Sequence, residues 1–421
     1  MGKRELEKEK HEGLLLILFG CIALMLPFLR GWQLTLIVSA LTAGVLLKCK
    51  SLSRLLHLCL AFLALAVLSW ALNLPMYIIG ASIAISVLGS FASGTVEPSH
   101  YIKTIPGSIL FLFFGIVGAF LIGWTVAFVG PGDASYQFMF FLATIGAVTG
   151  ALLKSIPHKT DNLTIPFGSA MAMWLFAGFG YWTSPSQVML ALALTLAIGY
   201  ASYMANTADI TGVLSGTLLG VLIIIFGGIK WFALLLAFFV VGGVFTKYKY
   251  GYKEALGIAQ AEGGARGYKN VFGNGLVALV SAVGWGIWGW YFLLVAYLGA
   301  IATSTGDTLA SEIGETSETS PRMITSFKRV KPGTNGAISH LGETSALVGA
   351  TLIGALAVLL GMMKLNIAII APILGGFIGV HVDSLLGATL ENKGYLTNHS
   401  VNLLATAAGA IASVGLYYVL V

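Results

Sequence analysis

Two acidic residues at the end of a long apolar run have side chains that suit metal-assisted chemistry. Asp307 and Glu312 belong to the segment Thr-Gly-Asp-Thr-Leu-Ala-Ser-Glu at 305–312. Carboxylates and hydroxyls are hard oxygen ligands of the kind that Mg²⁺ takes alongside substrate phosphates. Five residues correspond to about 140° around an α-helix. The two acids therefore share one ion only if the segment is broken or the ion lies between elements; helix-end capping is the alternative.

Two further acids border or interrupt apolar runs. Asp383 lies in His-Val-Asp-Ser-Leu-Leu-Gly-Ala, and Asp209 lies in Asn-Thr-Ala-Asp-Ile-Thr-Gly. An ionisable residue inside a membrane segment is a candidate for function, because it is costly unless it faces water, a partner or a metal. We therefore interpret both as site residues.

Two glycine-rich basic segments could surround a phosphate. In the first, 262–275, Arg266, Asn270 and Asn274 are spaced one helical turn apart and can share a face. The second, Pro332–Gly336, is a turn signal that follows Lys331, and a helix starting near 340 would add its positive end. A positive-inside loop whose glycines form turns, or a stop-transfer loop, would explain the same residues. The P-loop pattern G-x-x-x-x-G-K-[ST] does not occur.

The composition shows what kind of chain must position these residues. Of 421 residues, only 10% are charged and 57% are hydrophobic, with a mean hydropathy of +0.90. Soluble domains carry about 25% charged residues, so a soluble protein, a disordered chain and a nucleic-acid binder are excluded. With about 20 apolar residues per span, the runs predict an all-α, polytopic transmembrane helical bundle of about 13–15 spans. Several runs are short enough to be re-entrant.

The charge distribution predicts the membrane topology and a division of the chain into two domains. With the N-terminus in the cytoplasm, all 23 Lys and Arg residues fall on the cytoplasmic side except Arg30, Lys230 and Lys364. Most acids lie beyond residue 205, and the long polar loops 247–273 and 305–341 are cytoplasmic. We predict an N-terminal accessory transmembrane bundle, 1–183, and a catalytic transmembrane domain, 184–421, in a cell membrane.

The motifs of the C-terminal half resemble an integral membrane family of unknown function, number 92. The resemblance covers about residues 186–421. It rests on Glu-Gly-Gly-Ala-Arg at 262–266, Asp-Thr-Leu-Ala-Ser-Glu at 307–312, Pro-Gly-Thr-Asn-Gly at 332–336, and Asp383 with Asn398 and Asn402. The family includes transmembrane protein 19 and a plant chloroplast phytyl-phosphate kinase. The resemblance implies a kinase that makes isoprenoid diphosphates from monophosphates, with CTP as the suggested donor.

On this interpretation every candidate residue has a role. We predict that Asp307, Glu312 and Asp383 are catalytic and hold Mg²⁺ directly or through water, with Asp209 as a further metal ligand. The predicted phosphate-binding residues are Arg266, Lys269, Asn270, Asn274, Lys331, Gly333, Thr334, Asn335, Gly336 and Asn398. The predicted partners are a nucleoside triphosphate, an isoprenoid phosphate lipid such as phytyl or geranylgeranyl phosphate, and membrane lipids, but no nucleic acid. An ion-coupled secondary transporter or lipid carrier is the alternative, because many glycine-rich spans and membrane-embedded acids suit it too.

Overall fold

Helices make up nearly all of the regular structure. The computed structural model describes residues 21–23, 25–48, 53–97, 101–130, 134–157, 160–260 and 264–421. Within these residues the chain forms two compact units, Met1–Leu190 and Ala191–Val421. The described residues include ten helices that are long and apolar enough to cross a membrane, and three shorter apolar helices. The prediction of an all-α polytopic bundle is confirmed.

The first unit contains the N-terminal helices. Their bounds are α1 Gly31–Lys48, α2 Ser53–Leu72, α3 Met76–Gly94, α4 Ile105–Val129, α5 Tyr136–Ser155 and α6 Asp161–Gly178, followed by α7 Pro185–Met204, which continues into the second unit. A π-helical turn, Ile85–Gly89, interrupts α3. The sequence also has an uncharged apolar run near 14–29, of which residues 14–20 and 24 lie outside the described residues.

Besides most of α7, the described residues of the second unit form eight helices and one antiparallel strand pair. The bounds are α8 Ile210–Phe226, α9 Ile229–Lys247, α10 Tyr250–Ala255, α11 Tyr268–Trp288, α12 Tyr291–Gly314, β1 Arg322–Met323, β2 Ala337–Ile338, α13 His340–Leu359, α14 Ile367–Glu391 and α15 Asn398–Leu420. The two strands pair antiparallel, with Arg322 opposite Ile338. Helix α14 ends in a π-helical segment, Gly387–Glu391.

Helix α12 is the centre of the second unit. It packs against α9, α11, α13, α14 and α15, and most of its residues are buried. Glycine permits the closest of these approaches, because a Cβ at Gly349 of α13 would lie 3.0 Å from the Cα of Gly306. Without a hydrophobic driving force between spans, such close packing is a main source of helix association in lipid. Residues carried by α12 are therefore held rigidly.

The two ends of the second unit differ in character. One end carries exposed aromatic residues, including Trp288, Trp290 and Tyr418, which are typical of a membrane–water interface. Lys230 lies at this end beside Gly361. The opposite end carries the sequence motifs.

The limits of the two polar loops predicted from the sequence were wrong. Helix α12 continues to Gly314, so Asp307 and Glu312 lie on a span rather than in a loop. Helix α11 likewise begins at Tyr268 and includes Lys269. Loss of hydrophobicity marks where a helix stops facing lipid or core. It does not mark where the backbone hydrogen bonding ends, because these polar side chains find partners inside the protein.

Candidate functional site

Two carboxyl groups face each other between the central helix and α14. Asp307 and Asp383 lie within hydrogen-bonding reach, and Glu391 is close enough to act electrostatically on both. They meet because α12 and α14 pack closely at Gly306, where a Cβ would lie 3.1 Å from Val380 Cγ2. Two adjacent carboxylates share a proton unless a cation between them offsets their repulsion. The pair is therefore a candidate cation-binding site at the motif end of the bundle.

A chain of amides fixes the Asp383 carboxylate. With the Asn402 amide turned so that each of its atoms has a complementary partner, Nδ2 donates to Asp383 Oδ2 at 3.3 Å and to Asn398 O at 3.0 Å. Asn402 Oδ1 then accepts from Asn274 Nδ2 at 3.2 Å. The Asn274 carbonyl in turn accepts from Ser304 Oγ at 3.0 Å. Helices α11, α12, α14 and α15 are thus linked at one polar point, and Asp383 is preorganised.

Arg266 is a buried cation whose guanidinium has unused donors. The residue is 7% exposed, and its Nε and Nη1 have no hydrogen-bond partner among the described residues. The guanidinium lies over the Phe238 ring at 5.3 Å and packs directly on Gly242 of α9. Burial lowers the pKa of Arg266 to about 10, while the negative charge of Glu312 raises it. Arg266 is therefore charged at neutral pH. Since buried donors are normally hydrogen-bonded, its two donors without partners among the described residues indicate a binding site for an anion.

The segment before α11 holds Arg266 in place. Arg266 N donates to Thr207 O at 2.9 Å, and Asp209 N donates to Arg266 O at 3.3 Å. Asp209 Oδ1 caps α8 by accepting from Gly212 N and Thr211 Oγ1, each at 2.7 Å. Asp209 was predicted as a metal ligand, and the structure places it in a helix cap that supports the arginine. Glu262, which opens this motif, lies outside the described residues.

Glu312 points to a different side of α12 from the aspartate pair. Since α12 is unbroken, the five-residue spacing separates Asp307 and Glu312 around the helix, as its geometry requires. Glu312 is 2% exposed and forms an ion pair with Lys253, which is 1% exposed. Its Oε1 accepts from Gln260 Nε2 at 2.7 Å. The structure therefore separates two residues that the sequence grouped as metal ligands.

Lys253 and Gln260 were missed by the sequence reasoning. Lys253 Nζ also donates to Thr246 O at 3.0 Å, so all of its strong contacts are internal. In the sequence this lysine is one cation among many in a positive-inside loop. Its partner Glu312 is 59 residues away, so no local pattern pointed to the contact.

The Pro332–Gly336 turn docks on the end of the helix that carries Asp383. Gly333 and Gly336 have φ values of 77° and 78°, which favour glycine. A Cβ at Gly336 would lie 2.5 Å from Ala388 N. Asn335 O accepts from Asn392 Nδ2 at 3.3 Å. The turn predicted from the sequence therefore lies at the C-terminal end of α14.

The remaining predicted phosphate ligands lie around the same end of the bundle. Lys269 and Asn398 are exposed in the first turns of α11 and α15, which meet where Gly273 packs on the His399 carbonyl. Lys331 is exposed, and Thr334 Oγ1 donates to its carbonyl at 2.7 Å. Asn270 O accepts from Asn274 Nδ2 at 3.1 Å. Helices α11, α13 and α15 all begin here, so their positive ends favour anions.

A magnesium ion fits the aspartate pair. Among the described residues, no group of three or more carboxylate, imidazole or thiolate side chains has metal-binding spacing. Magnesium does not require one, because it is commonly held by one or two carboxylates together with waters and substrate phosphates. Asp307 and Asp383 supply two hard oxygen donors, and a cation between them would relieve the repulsion of the Asp383 carboxylate by Asp307.

The environment of Glu315, just after α12, predicts that the stability of the fold depends on pH. Burial raises its pKa from 4.5 to about 7, Glu312 adds to the increase, and Lys253 opposes it. An acid whose pKa is raised by folding stabilises the fold at low pH, and this stability is lost as pH rises from about 4.5 to about 7. We expect Glu315→Gln to be more thermostable than the wild type at pH 8 and equal to it near pH 4.

The measurement is the melting temperature of the purified full chain in detergent across this pH range. Glu318→Gln, at an exposed position three residues away, serves as the control with the same charge change. An unchanged pH profile for Glu315→Gln would contradict the prediction.

Comparison with known proteins identifies the family of this site. Residues 193–410 match the family described as Integral membrane protein DUF92. The chain belongs to this family. The matched region contains every residue of the candidate site and lies within the second unit, Ala191–Val421. The acid pair, the buried arginine and the Pro332–Gly336 turn all lie inside the matched region.

Several relatives each match about half of the chain. The uncharacterized membrane protein MJ0933 of Methanocaldococcus jannaschii is 38% identical over 210 residues, which are 50% of this chain and 85% of the relative. Protein PGR of Arabidopsis thaliana is 30% identical over 51% of this chain and 82% of its own length. The chloroplastic protein VTE6 of Arabidopsis thaliana is 30% identical over 48% of this chain and 63% of its own. No solved structure matches the chain.

Proposed function

We propose that this chain is a membrane kinase that transfers a phosphoryl group from a nucleoside triphosphate to an isoprenoid monophosphate. CTP is the proposed donor, phytyl or geranylgeranyl phosphate the proposed acceptor, and the isoprenoid diphosphate the product. The observation that carries the proposal is an aspartate pair at the same end of a lipid-embedded bundle as a buried arginine, whose Nε and Nη1 have no partner in the part of the chain that the structure describes. The resemblance to the phytyl-phosphate kinase of this family supports the same activity.

The residues divide into metal-binding, phosphate-binding and positioning groups. Asp307 and Asp383 would hold Mg²⁺, which supplies charge neutralisation on the transferring phosphate when bound. Arg266 would bind a phosphate oxygen, with Lys269, Lys331, Asn335 and Asn398 at the exposed rim. The other predicted ligands, Asn270, Asn274, Gly333, Thr334 and Gly336, shape this rim. Glu312 and Asp209 already have protein partners, so we assign them positioning roles.

The proposed reaction needs no strong general base. An acceptor phosphate oxygen attacks the γ-phosphorus of the nucleotide, and the bond to the β–γ bridging oxygen breaks. Its electron pair leaves with the nucleoside diphosphate. A phosphate monoester has a second pKa of about 6 and is largely a dianion at neutral pH, so the attacking oxygen carries no proton to remove. The chain's task is then to position two anions and neutralise their repulsion.

The membrane setting suits a lipid acceptor. The site elements lie at the ends of spans, where a headgroup can meet a water-soluble nucleotide while its tail stays in lipid. We place this end on the cytoplasmic side of a cell membrane, with the N-terminus inside, because the cations favour that orientation.

The deciding assay uses the purified full chain with phytyl or geranylgeranyl phosphate, Mg²⁺ and each nucleoside triphosphate in turn. We expect the isoprenoid diphosphate to form, fastest with CTP, and to disappear when Mg²⁺ is chelated. No diphosphate with any donor would refute the proposal. Proton- or Na⁺-dependent uptake into proteoliposomes without nucleotide would instead support the secondary-transporter alternative.

A further inference from the structure

In the reaction proposed above, Glu312 of the buried ion pair has only a positioning role, and its partner Lys253 has none. Lys253 and Glu312 are almost fully buried, and Gln260 satisfies the second carboxylate oxygen. Replacing such a pair with apolar residues is often neutral or stabilising. A contribution to folding alone is therefore a weak explanation for it.

The position of the pair indicates an electrostatic role. The pair and the arginine meet on α9: the Arg266 guanidinium packs on Gly242, and Lys253 Nζ donates to the carbonyl of Thr246, one turn further along. At this distance Glu312 acts electrostatically on Arg266, and it also acts on Asp307. An unpaired Glu312 would compete with any anion for the arginine and repel a phosphate approaching the aspartate pair. Lys253 is the cation that neutralises it, since its ammonium contacts Glu312 directly.

We infer that Lys253 shields Glu312 so that the Arg266 guanidinium is free to bind a phosphate-type anion. Lys253 is thus a positioning residue that acts on the site through its charge. Its contact with Glu312 holds its ammonium group against α12. The same contact joins α10, which carries Lys253, to the central helix. The inference rests on the anion-binding part of the proposed function but not on the chemical step.

The inference predicts that the effects of two substitutions cancel. Lys253→Met leaves the Glu312 charge unopposed, whereas the double variant Lys253→Met/Glu312→Gln removes both charges. One uncompensated charge close to a poorly solvated anion changes binding by about tenfold or more. We expect Lys253→Met to weaken anion binding about tenfold and the double variant to return it to within about threefold of the wild type.

The experiment measures pyrophosphate binding to the full chain in lipid nanodiscs by calorimetry, without Mg²⁺. Lys393→Met removes one charge at an exposed position and should leave binding unchanged. Wild-type affinity in Lys253→Met, or an equally weak double variant, would overturn the inference. If Lys253→Met does not fold, Glu312→Gln decides, because it leaves Lys253 unopposed and must bind pyrophosphate more tightly than the wild type.

This outcome is separable from that of the kinase assay. Cancellation of the two effects without diphosphate formation would leave the anion site standing and remove the kinase. Loss of pyrophosphate binding in Arg266→Met confirms that Arg266 is the receptor. Unchanged binding in that variant would overturn the inference.

Discussion

Asp383→Asn is expected to lower the rate of phosphoryl transfer by a factor on the order of 10²–10³, typical for loss of one preorganised electrostatic group. The amide keeps an oxygen that can accept from Asn402, so the polar link at 3.3 Å is retained. What is lost is one of the two charges that would hold Mg²⁺ with Asp307.

The same substitution is expected to raise the melting temperature in the absence of Mg²⁺. Two carboxyl groups held together repel each other when both are ionised, and the amide removes this repulsion. Sites that are built for function commonly reduce stability in this way. We therefore expect Asp383→Asn to have a lower activity and a higher melting temperature than the wild type when both are measured on the same preparation.

Glu343→Gln is the matched control for this variant. Glu343 contacts His381 at 3.1 Å and lies at the same end of the bundle, so the charge change is equal but the aspartate pair is untouched. Full activity in Asp383→Asn, or an equal loss in Glu343→Gln, would remove the assigned role of Asp383.

Arg266→Met is expected to lower kcat/KM by a factor on the order of 10² or more, since it removes a charge-assisted donor from a buried phosphate site. Methionine keeps much of the apolar contact with Phe238, so the fold should survive. Arg266→Lys is expected to recover only part of the activity, because an ammonium cannot reproduce the planar set of donors.

A glycine pair on α9 tests the position of the guanidinium without changing its charge. A methyl group at Gly242 would overlap the Arg266 guanidinium, so Gly242→Ala should reproduce much of the loss in Arg266→Met. At the adjacent Gly243, a Cβ would make ordinary contacts with Thr207 at 3.5 Å. Gly243→Ala should therefore retain near wild-type activity. Equal activity in the two alanine variants would show that Arg266 needs no particular placement.

The sequence alone was sufficient for the fold class and for the parts of the chain that could do chemistry. Long uncharged runs predicted the membrane helices because lipid requires their backbone groups to be paired internally. The same physics singled out Asp307 and Asp383 as acids beside apolar runs, whereas Arg266 was selected from the glycine-rich basic segment 262–275.

Only the tertiary structure decided which of these residues act on one another. An unbroken α12 directs Asp307 towards Asp383 and Glu312 towards Lys253. Asp209 has a carboxylate of the kind that binds metals, but this carboxylate caps a helix. The backbone of Asp209 and Thr207 holds Arg266. Lys253 and Gln260 could not be found from the sequence, because their contacts with Glu312 bridge more than 50 residues. Side-chain chemistry and hydrophobicity can be read locally, whereas pairing depends on helix rotation and packing, which are set by contacts between distant parts of the chain.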